Sequence, residues 1–155
     1  MSAQLRLTAV ALGSNQGERE THLRYAIARL GNLLTELVVS SFIETAPEGG
    51  PPQRAFLNAA VVGGSSTLPT VLLKELLSIE EERGRERPFH DAPRTLDLDL
   101  ILVGDLVVRQ PALAIPHPRF RERRFVLEPL ASIAPDLIDP VTNLTILDLL
   151  TKLDS

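Results

Sequence analysis

Apolar and polar side chains alternate along Leu5 to Leu12: Leu5, Leu7, Ala9 and Ala11 fall on one face, and Arg6, Thr8 and Val10 on the other. That period of two predicts a strand, ending at the turn-forming cluster Gly13-Ser14-Asn15. The period then lengthens. Leu23, Ile27 and Leu30 recur at helical spacing, with Gly31 as the stop. Residues 37–45, rich in Val and Ile, predict a second extended segment, and the proline- and glycine-bearing stretch 46–54 predicts a loop. Phe56 to Gly63 reads as a strand. Thr67-Leu68-Pro69 opens a helix whose buried stripe is Leu72, Leu73, Leu76, Leu77 and Ile79, and Gly84 closes it. A polar loop over 85–93 leads into another strand. Gly104-Asp105 then signals a two-residue hairpin turn. The remainder, with six prolines from Pro111 to Pro140, predicts irregular chain and a short helix over 146–150.

The resulting order is β-α-β-β-α-β followed by extras. It predicts an α+β fold: a ferredoxin-like βαββαβ core with a mostly antiparallel sheet, two helices packed on one face, an added hairpin and a C-terminal helix. Such a fold does not by itself name a function.

The strand Thr95 to Leu102 carries the chemistry. Leu96, Leu98 and Leu100 take one face, and Thr95, Asp97 and Asp99 the other. Two carboxylates at i and i+2 in an apolar strand repel each other and cost desolvation, unless a cation sits between them. Mg²⁺ suits that role, because it takes hard oxygen ligands and shares its shell with phosphates. Arg94 on the same segment offers a planar fork for such a phosphate.

Composition narrows the class. The chain has 155 residues, 44% of them hydrophobic, enough for a single domain spanning 1–155 with its own core. No apolar run approaches the ~20 residues of a membrane span, and the first residues lack a signal-peptide pattern. There are no cysteines, which excludes disulfides and thiolate metal sites. A cytoplasmic monomer without membrane or nucleic-acid partners is expected, since a net charge of −4 opposes binding to a polyanion by overall attraction. Within that acidic chain the arginines concentrate between Arg83 and Arg124, while Lys74 and Lys152 are the only lysines. Arginine suits flat, bidentate phosphate recognition, so a small polyphosphate ligand is predicted.

With these motifs in place the chain resembles the 6-hydroxymethyl-7,8-dihydropterin pyrophosphokinase family of folate biosynthesis, over nearly its whole length. The matching segments are Ala11-Leu12-Gly13-Ser14-Asn15, Ser40-Ser41-Phe42, Phe56-Leu57-Asn58-Ala59-Ala60, Gly84-Arg85-Glu86-Arg87, Pro93-Arg94-Thr95-Leu96-Asp97-Leu98-Asp99 and Pro116-His117-Pro118. The resemblance implies transfer of pyrophosphate from ATP, the co-substrate, to the pterin hydroxymethyl group, with AMP leaving. It implies two Mg²⁺ ions on Asp97 and Asp99, and phosphate contacts from Arg85 and Arg94 in the catalytic step. It places Glu80, Arg87, His117 and Arg123 around the nucleotide. For the pterin it implies Phe56 and Phe125 stacking on the ring, Asn58 reading its edge, and Thr45, Asp97 and the backbone at Glu48 completing the rim. One departure is that many relatives carry a Trp before Pro-Arg, where this chain has Phe89-His90-Asp91-Ala92.

Two other readings compete. An aspartate-nucleophile phosphatase also uses Asp-x-Asp, but it wants Thr or Val soon after the second Asp and a lysine; here Leu100 follows and lysines are scarce. A regulatory ligand-binding module would not need two carboxylates beside an arginine cluster.

Overall fold

Strand β1 (Arg6–Ser14) is the middle of the sheet, and it sends Val10 and Leu12 to one face and Ala9 and Ala11 to the other. The structure is a computed structural model and describes residues 4–46, 53–84 and 95–155. After β1 come α1 (Arg19–Leu30), β2 (Thr35–Val39), β3 (Ile43–Thr45), β4 (Phe56–Ser65), α2 (Pro69–Glu82) and β5 (Asp97–Val103). The sheet order is β2-β4-β1-β5, with β3 also beside β4, and every pairing is antiparallel. This is the ferredoxin-like arrangement expected from the element order. The predicted extended segment 37–45 is broken in two. Ser40 leaves the strand, its hydroxyl accepts the Ala60 N–H at 2.9 Å, and its own N–H donates to the Ala60 carbonyl.

Helices α1 and α2 cover one face. Leu23, Ala26 and Leu30 join Leu72, Leu76 and Ile79 over Val10, Leu12, Leu98 and Leu100. Pro69 occupies the first turn of α2, where its missing N–H costs nothing. Gly84 ends it at φ +77°, a conformation that glycine adopts freely.

The two expected helices cover one face, and the structure adds a layer on the other. Helices α3 (Arg124–Ile133) and α4 (Ile146–Asp154) pack on the other face through Val126, Leu127, Leu130, Ile146 and Leu149. Helix α3 fell within the stretch expected to be irregular because Pro129 lies inside it. An interior proline costs about 3 kcal/mol by removing one helical hydrogen bond. Each large apolar side chain fully buried returns about 1.5–3 kcal/mol, and α3 buries Val126, Leu127 and Leu130, so tertiary packing wins. Ala9, Ala11 and Ala60 keep that face of the sheet low beneath it. Helix α4 is longer than predicted and starts with a capping box, in which Thr145 and Asp148 each accept the other's backbone N–H.

The predicted hairpin is displaced. The turn at Gly104-Asp105 exists: Leu106 N–H donates to the Val103 carbonyl, and Gly104 has φ +54°. The following segment does not pair back on β5. Instead β6 (Val108–Gln110) pairs with β7 (Leu113–Ile115) as a separate two-stranded sheet. Gly104 N–H is occupied by the Leu7 carbonyl at 2.7 Å.

Candidate active site

The two faces of β5 divide as its sequence requires. Leu96, Leu98 and Leu100 are buried under α2, and Asp97 and Asp99, half-buried, point the opposite way. Cross-strand register fixes their surroundings. Asp97 lies opposite Gly13, which lies opposite Asn58; Asp99 lies opposite Ala11, which lies opposite Ala60. The carboxylates therefore stand at the end of the same sheet face whose other end is sealed by α3 and α4. A bulge after Leu100 turns both Ile101 and Leu102 into that sealed core.

β5 is an edge strand, and an edge leaves backbone donors unpaired. Glu80, on α2, meets this need. It is 2% exposed, and its Oε2 accepts the Leu98 N–H at 2.7 Å. Leu98 is the residue between the two aspartates, so α2 fixes the backbone from which both project.

His117 is brought to the pair by main chain. Its N–H donates to the Ile101 carbonyl at 2.9 Å, two residues beyond Asp99. Its Nδ1 accepts the Arg119 N–H at 3.1 Å, which turns Nε2 toward Asp99, 4.0 Å from Oδ1. Burial pushes the imidazole down to about 4, helped by Arg123 and Arg119 and opposed by Asp97. At neutral pH the ring is uncharged, so the Asp99 contact is not an ion pair, and His117 offers a neutral N–H. The Arg123 guanidinium lies over the Phe125 ring, 5.6 Å from its centroid.

On the β3–β4 side, Asn58 is 4% exposed, and its amide donates to Thr45 Oγ1. Phe56 is two residues before Asn58 and so faces the same way. The end of β1 is tied to the chain entering β4. Asn15 donates to Gln53 and to the Arg54 carbonyl, and Arg19 donates to the Ala55 carbonyl at 2.9 Å.

The fold thus gathers Thr45, Phe56, Asn58, Asp97, Asp99, His117, Arg123 and Phe125 at one end of the sheet. Arg85, Arg87, Arg94 and Glu48 lie outside the described residues. Among the described residues no three His, Asp or Glu side chains converge as a metal cage. The two carboxylates suit a hydrated Mg²⁺ that completes its shell with substrate phosphate. Sequence reasoning missed the hold of Glu80 on Leu98, although Glu80 continues the Leu72-Leu76 stripe at helical spacing. It also read Gly13 and Ser14 as part of a turn, whereas β1 runs on through both and pairs Gly13 with Asn58 and Asp97. Among the described residues no helix is long and apolar enough to cross a membrane.

Comparison with known proteins identifies the family. The model of the 7,8-dihydro-6-hydroxymethylpterin-pyrophosphokinase family matches residues 9–135. The chain is 43% identical over 146 residues to the 2-amino-4-hydroxy-6-hydroxymethyldihydropteridine pyrophosphokinase of Synechocystis, covering 94% of this chain and 75% of that protein. It is 44% identical over 136 residues to the protein of the same name from Bacillus subtilis, covering 86% and 81%. A crystal structure of Plasmodium falciparum HPPK-DHPS superposes with a TM-score of 0.76 at 15% identity, over 97% of this chain and 45% of that one. This chain therefore spans less than half the length of that solved chain, and the likeness to it is one of fold.

Fold and relatives together define a transferase of the ferredoxin-like class. The chain belongs to the 7,8-dihydro-6-hydroxymethylpterin-pyrophosphokinase family, whose reaction is pyrophosphoryl transfer to hydroxymethyldihydropterin in folate biosynthesis.

Proposed function

We propose that this chain binds ATP against the Asp97–Asp99 face of β5, stacks the pterin beside it, and joins the two by one in-line displacement. The pterin hydroxymethyl oxygen attacks the β-phosphorus of ATP. The oxygen–phosphorus bond forms, the bridge to the α-phosphorus breaks, AMP departs with the bridging oxygen, and the hydroxyl proton is lost to solvent. The observation that carries the reading is the pair of half-buried carboxylates opposite Gly13 and Ala11, with His117 Nε2 4.0 Å from Asp99 Oδ1.

Asp97 and Asp99 would hold Mg²⁺, two ions by family resemblance, which when bound neutralises phosphate charge and steadies the attacking and leaving oxygens. The remaining work belongs to the protein. Glu80 fixes the strand under the carboxylates. His117 donates from Nε2 toward a phosphate oxygen without adding a charge, and Arg123 supplies the charge nearby. Arg85, Arg87 and Arg94 are assigned to the phosphates by resemblance alone. Phe56 and Phe125 flank the flat ring, while Asn58, held by Thr45, reads its polar edge with the groups its amide has left. Positioning of two substrates is worth about 7–11 kcal/mol of barrier when the reacting atoms are held near contact.

Titration of Mg²⁺ into the protein with a nonhydrolysable ATP analogue tests the assignment. Wild type should bind the nucleotide only with Mg²⁺, and Asp97→Asn and Asp99→Asn should each abolish that dependence. Mg²⁺-dependent binding surviving in both variants overturns it.

A further inference from the structure

The motif Gly13-Ser14-Asn15 ends β1 inside the site, yet nothing so far requires a glycine there. Its backbone does not: among the described residues the left-handed glycines are Gly17, Gly84 and Gly104, and Gly13 is an ordinary strand residue. Glycine in a strand interior is unfavourable and marks a close approach by something else. What approaches Gly13 is the Asn58 side chain. A Cβ on residue 13 would sit 2.9 Å from Asn58 Oδ1 and 3.6 Å from Phe56 Cδ1. The first distance is well inside van der Waals contact; the second is ordinary. Asn58 cannot swing aside without loss, because it is 4% exposed and its amide donates to Thr45 Oγ1.

We propose that Gly13 is a specificity-determining positioning residue: its bare α-carbon is the seat on which the Asn58 amide lies, fixing the direction in which that amide presents its donor and acceptor to the heteroaromatic substrate. The inference rests on the reading of Asn58 as the group that reads the ring edge. Gly13 also sits between Asn58 and Asp97 in the row across three strands. The same bare position therefore keeps the ring-reading side of the site clear of the carboxylate side. A methyl group there would rotate the amide off Thr45, misaligning its hydrogen bonds while leaving the nucleotide side in place.

The test is a double-mutant cycle on Gly13→Ala and Asn58→Ala, with dissociation constants for 6-hydroxymethylpterin and, separately, for a nonhydrolysable ATP analogue. Losing well-aligned hydrogen bonds to a ring edge weakens binding by about tenfold or more. Gly13→Ala should do this to the pterin while changing nucleotide affinity less than about twofold. In the Asn58→Ala background, where the new methyl meets no amide, Gly13→Ala should add nothing further to the pterin constant. That double variant also serves if Gly13→Ala alone folds poorly, because its stability should return to that of Asn58→Ala. Equal pterin losses from Gly13→Ala in both backgrounds, an equal loss of nucleotide affinity, or an unchanged pterin constant each overturn the role of Gly13. Unchanged pterin binding in Asn58→Ala alone overturns the reading beneath it.

Discussion

Glu80 on α2 holds the backbone N–H of Leu98 on β5 at 2.7 Å, and Leu98 is the residue that separates Asp97 from Asp99. A buried side chain thus braces an edge strand at the point where the two aspartates leave its other face. Removing the acceptor strands a buried donor, at about 1–3 kcal/mol. Glu80→Ala should lower stability in denaturant titrations by that amount and weaken Mg²⁺-dependent nucleotide binding. Glu80→Gln keeps an acceptor for Leu98 and should recover most of both. A glutamine variant as impaired as the alanine one would show that the Leu98 bond is not what matters.

Asp97→Asn and Asp99→Asn retain the size of the side chain and remove its charge. Each should lower kcat on the order of 100- to 1,000-fold, the range for loss of one preorganised electrostatic contact in a transition state. Thermal unfolding without Mg²⁺ should be unchanged or shifted upward, since two neighbouring like charges become one. Steady-state kinetics and a melting curve on the same preparations check both halves.

On the proposed reading Phe125 stacks on the pterin ring and does not touch the phosphates. Phe125→Ala should weaken pterin binding by about 1–3 kcal/mol, the usual range for an aromatic platform under a flat base. Nucleotide affinity should change far less, although Arg123 loses the ring beneath its guanidinium. Calorimetry with each substrate separately distinguishes this from a general loss of the site.

Asp139 anchors the chain between α3 and α4. It is fully buried and accepts from both Nε and Nη2 of Arg121, from Thr142 and from the Val141 N–H. Burial alone would raise its pKa, but Arg121, Thr142 and Val141 outweigh burial and hold it below the usual carboxylate range. A carboxyl whose pKa is depressed by folding stabilises above its unfolded value and loses that contribution as pH falls through the folded one. Asp139→Asn should therefore cost about 1.5–3 kcal/mol at neutral pH. The gap from wild type should close on acidification below about 4, the unfolded aspartate value. Urea unfolding at a series of pH values reads it directly; a gap that widens in acid would mean the carboxylate is not the source.

Much of this could be read from sequence where one periodicity acted alone. Leu96, Leu98 and Leu100 against Asp97 and Asp99 gave both the strand and its two faces, because one side of that strand is sealed by α2 and the other is not. Pro69 and Gly84 marked both ends of α2 for reasons local to the backbone. Helix α3 was hidden because Pro129 argues against a helix locally, while the contacts that outweigh it, with Ala9, Ala11 and Ala60 nearby, come from far along the chain. With α3 went the second layer and the element that carries Phe125. The turn at Gly104 was visible, but its partner strand was not, because turn chemistry fixes a reversal and not what pairs afterwards. The roles of Glu80 and Gly13 depend on contacts across 18 and 45 positions, Glu80 to Leu98 and Gly13 to Asn58, which no local pattern encodes.

Phosphorus NMR of the reaction mixture decides the whole reading at once. With ATP, Mg²⁺ and 6-hydroxymethyl-7,8-dihydropterin, the β- and γ-phosphorus signals should both move to the pterin product while AMP appears in equal amount. ADP with a pterin monophosphate, or orthophosphate released from ATP, would contradict attack at the β-phosphorus and the site built on Asp97 and Asp99.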